Sequence, residues 1–343
     1  MDARLERKLL ALAVVVAAGV VSSIAVPIAL GYLTPIGIAV GASYGLLLSL
    51  SLGGITLFVM QGPMRGWLAG LPFTADVAVR SAIYAAIIIP TEFFQVGALI
   101  LGQHYPPSMK AFWVAMIYSV VCAILFNLVI GVIGLIGGRT FRNFISGRYH
   151  SPVEESRFVL FVDIVGSTAL AERLGGVGIH RLLDRIFRLL TVAVEDYRGE
   201  VLNYVGDGMI ITWPERLGSI DCRPLRCFIA MRAELARASG QLQREFGVVP
   251  QIRGSLHFGT VIIGEIGDVK RAIVFNGDVM NTAARLEELS RDVDGGFLAS
   301  RAAMEHFNSP PPFAVHDLGR LAIRGRADGI DVVGLGASAL TPA

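Results

Sequence analysis

The chain has 343 residues, a formal net charge of +2 and a mean hydropathy of +0.60, with 53% hydrophobic and 17% charged residues. This composition is too apolar for an ordinary soluble enzyme, so part of the chain is expected to lie in a lipid bilayer. The small net charge comes without a block of like charges, so no nucleic-acid partner is expected.

Four apolar stretches near the N-terminus are long enough to cross a bilayer, which takes about 20 apolar residues. They cover residues 9–33, 35–60, 79–101 and 111–137. They predict an N-terminal, all-α transmembrane bundle of four helices. The first stretch follows Arg4, Arg7 and Lys8, as the core of a cleaved signal peptide would, but it exceeds the roughly 7 to 15 apolar residues of such a core.

The basic residues that flank the spans indicate the orientation of the bundle, because cytoplasmic loops carry an excess of lysine and arginine. These residues are Arg4, Arg7, Lys8, Arg65, Arg80, Arg139, Arg142 and Arg148. With four spans, all of them fall on one side. The sequence therefore predicts a multi-pass protein of the cell (inner) membrane with both termini and the C-terminal half in the cytoplasm.

One acidic residue lies inside a predicted span. Glu92 follows Pro90 by two residues, and an ionisable group at mid-bilayer depth is costly enough to suggest a role in sensing a signal or ligand. The alternative is a neutral Glu92 that bonds the backbone carbonyl left free by Pro90. A channel or transporter is disfavoured, because Glu92 is the only acidic residue in any span.

A change in charge marks the end of the membrane part. Charged residues are scarce between residue 9 and about residue 137 and frequent from residue 138 onward. We expect a transmembrane domain over 1–137, a juxtamembrane linker over 138–157, a folded domain over 158–336 and a tail over 337–343. The linker is basic and is broken by glycine and proline.

The folded domain alternates between strand and helix patterns. The sequence predicts a strand in "RFVLFVDI", a helix over 168–197 with a break at Gly175 and Gly176, a hairpin in "EVLNYVGDGMIITW", a helix over 219–246, a second hairpin in "QIRGSLHFGTVIIGEIG" and a helix in "DVMNTAARLEELS". This order favours an α+β fold with helices packed on one antiparallel sheet. Cys122, Cys222 and Cys227 are too few and too irregularly spaced for a disulfide framework or a zinc site, so reduced, structural thiols are expected.

Two carboxylates stand out in this domain. Asp163 ends the first strand in "FVDIVGST", and Asp207 lies at the tip of the first hairpin in "GDG". If the strands are neighbours, the two carboxylates converge and suit a divalent cation that also binds substrate phosphates. The helix after Asp163 would direct the amides of Ile164 to Thr168 at a phosphate chain. The alternative is a capping role for Asp163 and a turn role for Asp207.

These motifs carry a resemblance to a known family. From about Arg157 to Gly336 the chain resembles the catalytic domain of class III nucleotidyl cyclases, with "FVDIVGST", "YVGDG" and "FNGDVMNTAARLEE" in the family's order. The resemblance implies a ferredoxin-like α+β fold and a homodimer with two active sites at its interface. It also implies that the 3′-hydroxyl of a nucleoside triphosphate attacks the α-phosphate, which releases pyrophosphate and a cyclic 3′,5′-monophosphate.

The resemblance also implies metal ligands and phosphate contacts. Asp163 and Asp207, with the backbone carbonyl of Ile164, resemble the ligands of two Mg²⁺ or Mn²⁺ ions per active site. Residues similar to the family's phosphate-binding positions are Gly166, Ser167, Thr168 and Arg324, the last standing where the family usually has a lysine.

From the partner chain, Asn281 matches the asparagine that positions the ribose. Arg285, one helical turn later, matches the arginine that stabilises charge on the α-phosphate.

The positions that read the base depart from the family pattern. Asn203 and Val274 stand where adenylate cyclases usually have a lysine and an aspartate or threonine, and Val274 can make no side-chain hydrogen bond. ATP is the favoured substrate, with GTP or a pyrimidine triphosphate as alternatives. A catalytically silent module that binds nucleotide and signals by dimerising is a further alternative, which the four intact catalytic positions disfavour.

Overall fold

The structure is a computed structural model, and it describes residues 3–25, 28, 34–68, 70–93, 109–136, 147–269, 272–311, 313–323 and 329–335. The chain divides into two compact units, Met1–Ile136 and Gly137–Ala343. The division lies beside the change in charge at residue 137.

All regular elements in the described part of the first unit are helices. Its elements are α1 (Ala3–Ser23), α2 (Pro35–Gly54) with a π-helical turn at Ile55–Met60, α3 (Arg65–Leu68), α4 (Phe73–Phe93) and α5 (Met109–Ile136). Thr34 caps α2 by accepting a hydrogen bond from the backbone N–H of Gly37 at 3.0 Å, and Pro35 occupies the first turn, where a missing N–H is harmless.

Two of these helices are long and apolar enough to cross a membrane, at Gly37–Met60 and Thr74–Thr91. Shorter apolar segments occur at Lys8–Ser23 and Met116–Gly131. The predicted spans 9–33, 79–101 and 111–137 extend past the described residues, so four spans stay a prediction. Glu92 belongs to α4, but its side chain lies outside the described part of the structure.

The second unit contains one sheet with helices packed against it. Its elements are β1 (Val153–Ile164), α6 (Ser167–Asp196), β2 (Glu200–Val205), β3 (Gly208–Pro214), α7 (Glu215–Gly218), α8 (Arg223–Phe246), β4 (Ile252–Ile266), β5 (Ala272–Asn276), α9 (Asp278–Leu289), β6 (Phe297–Ser300), α10 (Arg301–Glu305), β7 (Val315–Leu321) and β8 (Ile330–Leu335). The strand order is β2-β3-β1-β4-β6-β8-β7, with β5 paired to β4. The hairpin of β2 and β3 and the helical break at Gly175, where φ is 72°, agree with the prediction.

Three expectations about the second unit are wrong. The segment predicted as a second hairpin is the single 15-residue strand β4. Gly259, in the middle of this strand, does not form a turn. A Cβ at this position would lie 3.3 Å from the Val279 side chain, so the glycine lets α9 pack closely on the strand.

The sheet is also mixed, because β4 and β6 are parallel and are joined by a crossover that contains α9. Finally, β1 begins at Val153, inside the predicted linker.

Alternation along β1 separates the two faces of the sheet. Phe158, Leu160 and Val162 belong to the main core with α6 and α8. Val159 and Phe161 belong to a cluster on the opposite face that includes Val279 of α9. The next residue in that second series is Asp163, so its side chain emerges on the α9 face.

A buried arginine secures the start of the second unit. Arg157 of β1 is 1% exposed, and its guanidinium contacts Glu155 at 2.8 Å, Glu200 at 3.3 Å and the Tyr149 hydroxyl at 3.4 Å. Burial opposes ionisation of Glu155, but Arg157 outweighs it and lowers the pKa of that carboxyl. The network fixes residues just before β1 to both β1 and β2.

Candidate active site

The hairpin brings Asp207 to Asp163. β1 and β3 are antiparallel neighbours with Asp163 opposite Gly208, and Gly206 and Asp207 form a two-residue turn between Val205 and Gly208. Gly206 has a φ of 60°, and a Cβ on Gly208 would lie 3.2 Å from the Val162 carbonyl oxygen. The two glycines therefore allow the turn to approach the end of β1, and the two carboxyl groups share a hydrogen bond.

The two carboxyl groups differ in acidity. Burial raises the pKa of Asp163 to about 6, with further contributions from the negative charges of Glu287 and Asp207. Burial also acts on Asp207, but hydrogen bonds from Ser167, from its own backbone and from Asp163 outweigh it and lower the pKa of Asp207. Asp163 is therefore the weaker acid of the pair, and Asp207 is the stronger.

Arg253 is the functional residue that the sequence analysis missed. It lies opposite Asp163 in the β1/β4 register, and its guanidinium contacts the Asp163 carboxylate. Its Nε donates to Glu287 Oε1 of α9 at 2.6 Å. Arg253 therefore gives the acidic pair a counter-ion from a strand distant in sequence. The sequence feature that could have identified Arg253 is a single arginine near the start of an otherwise apolar strand.

A cleft of about 520 Å³ opens around these groups. Its walls include the turn between β1 and α6, with Ile164, Gly166, Ser167 and Thr168. Gly166 stands at the N-cap of α6 with a φ of 70° and makes no side-chain cap bond, so the first amides of the helical segment before the break at Gly175 lack a capping side chain. Such a helix end attracts anions. The Ile164 side chain is buried in the main core, so only its backbone is available as a metal ligand.

The predicted ribose, α-phosphate and base residues do not line this cleft. α9 contributes Ala284, Glu287 and Glu288 instead, and the turn after α9 contributes Arg291. Asn281 is exposed elsewhere on α9, and Arg285 is half-buried.

The two base-reading positions also lie away from the cleft. Asn203 is exposed on β2, where its side-chain oxygen accepts from the Tyr204 amide at 3.0 Å, and Val274 pairs with Gly264 in the β4/β5 ladder. Arg324 lies outside the described residues.

The acidic pair fits a hard divalent cation that relies on its substrate for further ligands. Among the described residues, no group of three or more His, Cys, Asp or Glu side chains is arranged to hold a metal by itself. Mg²⁺ is usually held by one or two carboxylates together with substrate phosphates and water. Besides burial, the negative charges of Glu287 and Asp207 raise the pKa of Asp163. A bound cation would relieve this repulsion.

Comparison with known proteins gives consistent results. Residues 150–333 match the family described as the adenylate and guanylate cyclase catalytic domain. Adenylate cyclase 2 of Rhizobium meliloti (strain 1021) is 29% identical over 306 residues, which cover 88% of this chain and 84% of the relative. The adenylate cyclase of Anabaena cylindrica is 24% identical over 180 residues, which cover 51% of this chain and only 35% of that relative.

Among solved structures, a bacterial light-regulated adenylyl cyclase superposes with a TM-score of 0.55 at 20% identity, covering 64% of each chain. At that identity the likeness concerns the fold alone. The matches confirm the resemblance read from the three motifs.

Proposed function

The chain belongs to the adenylate and guanylate cyclase catalytic domain family and is a nucleotidyl cyclase, and from this premise we propose that it converts ATP into 3′,5′-cyclic AMP and pyrophosphate. The observation that carries the proposal is the convergence of Asp163 and Asp207 beside the N-terminus of α6. An acidic pair next to a helix N-terminus suits a metal-bound triphosphate.

Asp163, Asp207 and the Ile164 carbonyl would hold two Mg²⁺ or Mn²⁺ ions per site. When bound, such ions supply charge neutralisation and make a ribose hydroxyl a better nucleophile. In this chain, the half-buried Asp163 and its neighbours keep the acidic pair in place for that role. The lowered pKa of Asp207 keeps one ligand ionised throughout the physiological pH range.

The triphosphate would lie along the turn between β1 and α6. The amides around Gly166, Ser167 and Thr168 and the positive end of α6 favour its negative charge. Arg253 adds a fixed cation in the same cleft. We assign Arg324 to the same phosphate-binding role.

The remaining catalytic groups would come from a second copy of the chain. Asn281 of the partner would position the ribose, and Arg285 of the partner would stabilise the charge that develops on the α-phosphate. The position of both residues outside the cleft of their own chain supports this arrangement. The active form would then be a homodimer with two composite sites.

ATP is favoured because the relative that matches 88% of this chain, and a second relative that matches 51% of it, are named adenylate cyclases. Asn203 can both donate to and accept from an adenine edge. Val274 offers no hydrogen bond to a base, and this departure keeps GTP and pyrimidine triphosphates as the competing substrates.

The first unit would anchor the enzyme in the cell membrane. The two apolar helices at Gly37–Met60 and Thr74–Thr91 support anchoring. We propose four spans within residues 1–137, both termini in the cytoplasm, a linker from residue 138 to the start of the catalytic domain, and a short tail after residue 336.

The test uses the purified full-length chain in detergent or nanodiscs with ATP, GTP, CTP and UTP in turn, each with Mg²⁺ or Mn²⁺. Cyclic products are identified by mass. Cyclic AMP as the main product supports the proposal, and an Asp163→Ala chain serves as the blank. A different cyclic nucleotide would overturn the choice of base, and no cyclic product from any triphosphate would overturn catalytic competence.

A further inference from the structure

A second cavity lies beside the active cleft. Its volume is about 430 Å³, and it is bordered by Val165 of the turn after β1 and by the loop that follows α9, including Gly295 and Gly296. Arg253 and Arg291 line both this cavity and the active cleft. The two cavities therefore share a wall.

The lining of the second cavity carries only positive charge among the described residues. Three arginines, Arg232, Arg253 and Arg291, contribute to it, and no acidic side chain does. Asp292 and Asp294 belong to the same loop, but they do not line the cavity. Arg253 is already neutralised by Asp163 and Glu287, so Arg232 and Arg291 supply the net charge.

Arg232 of α8 is half-buried without a carboxylate partner in the described part of the chain. Its Nη1 donates to the Gly295 carbonyl oxygen at 3.0 Å, and burial lowers the pKa of its guanidinium. A desolvated cation that meets only a carbonyl is costly and is stabilised by an anion. Arg237, on the same helix, differs: it pairs with Glu234 at 2.8 Å and is 69% exposed.

We propose that Arg232 and Arg291 form a product subsite, which binds pyrophosphate in the second cavity as it leaves the active cleft. This inference rests on the proposed function, because that reaction releases pyrophosphate next to the shared wall. A diphosphate has enough anionic oxygens to engage two guanidinium groups at once, and guanidinium matches such oxygens with paired hydrogen bonds.

The experiment measures inhibition of the full-length enzyme by added pyrophosphate. Arg232→Met and Arg291→Met are compared with the wild type, and Arg237→Met is the matched control. Loss of one charged hydrogen-bonding partner should raise the pyrophosphate Ki roughly tenfold relative to the KM for ATP. Arg232→Lys, which retains the charge, should give a smaller rise, and Arg237→Met should leave the ratio of Ki to KM unchanged.

Several outcomes would overturn the subsite. One is that neither Arg232→Met nor Arg291→Met changes the pyrophosphate Ki. Another is that Ki and the KM for ATP rise together, so that their ratio stays constant, which would assign the arginines to the active cleft. Equal inhibition by sulfate and pyrophosphate would contradict the choice of ligand. If Arg232→Met fails to fold, the test rests on Arg291→Met. The Arg291 side chain is exposed, so its replacement should leave folding intact.

Failure of the proposed reaction can be told apart from failure of the subsite. If the wild type forms no cyclic nucleotide, radiolabelled pyrophosphate is bound to the same proteins in equilibrium dialysis. Weaker binding by the Arg232→Met and Arg291→Met chains than by Arg237→Met supports the subsite without any turnover. Equal binding by all of them overturns it.

Discussion

Asp163 of β1 and Arg253 of β4 occupy opposite positions on paired antiparallel strands, and their side chains form an ion pair beside Asp207. The Nε of Arg253 also bonds Glu287, so one guanidinium holds two carboxylates at the edge of the cleft. A divalent ion that binds Asp163 must therefore compete with, or displace, this arginine. Arg253 would then be free to meet the phosphates of the proposed substrate.

Replacement of Arg253 by methionine should lower the rate of cyclisation by about 10²-fold or more, because a fixed cation beside the phosphates is lost. The pKa of Asp163 should rise further, since Arg253 now opposes the effects of burial and of Glu287. Initial rates at saturating ATP check the first effect. Arg237→Met, on an exposed helix face, is the control, and equal rates for the two variants would contradict a role in the cleft.

The acidity of Asp163 predicts how metal activation depends on pH. Its pKa is about 6 in the folded chain and 3.8 ordinarily. Between these values the folded state binds a proton that the unfolded state lacks, so this group's contribution to folding stability rises as pH falls through 6.

The proton that binds Asp163 also competes with a metal ion for this carboxylate. Below pH ~6 the Mn²⁺ concentration for half-maximal activity should rise about tenfold per pH unit. A concentration independent of pH between about 5 and 7 would argue against Asp163 as a ligand.

A composite site predicts complementation between two inactive chains. Asp163→Ala removes a group from one side of the interface, and Asn281→Ala removes a group from the other. A mixed dimer keeps one site with both groups intact, so co-expression should restore up to roughly half of the wild-type activity per mixed dimer. Each variant expressed alone, as a dimer of identical chains, is the control. Stable mixed dimers without activity would contradict the assignment of Asn281 to the partner's site.

Arg157 should be important for stability rather than for chemistry. Its removal leaves Glu155 and Glu200 without their buried partner, and breaking one half of such a network typically costs about 3–5 kcal/mol. Arg157→Met should therefore lower the unfolding temperature of the full-length chain markedly. Arg188→Met, which breaks an exposed pair with Asp184, should cost less than about 1 kcal/mol. Similar losses in the two variants would contradict a structural role for the buried network.

The site could be predicted from sequence where its parts are local. Asp163 and Asp207 belong to a strand and a hairpin close along the chain, and the glycines around Asp207 signal the tight turn. Arg253 could not be found in this way, because it is 90 residues from Asp163 and the β1/β4 register sets their contact.

The hairpin predicted for the segment that contains Gly259 is wrong for a similar reason. Glycine marks a turn in many sequences, but here it accommodates Val279 of a helix packed across the strand. The parallel pairing of β4 with β6 likewise depends on a crossover through α9, which the order of strands and helices alone does not specify.

The most direct test of the catalytic role of the acidic pair is the turnover of an Asp207→Ala chain beside an Asp184→Ala control, whose altered side chain is 54% exposed on α6. Both full-length proteins are purified, their folding is compared by circular dichroism, and cyclic nucleotide formation is measured with saturating Mn²⁺. Loss of at least about 10²-fold in Asp207→Ala, with near wild-type activity in Asp184→Ala, is the predicted result. A folded Asp207→Ala chain that retains wild-type turnover would contradict catalysis through this pair.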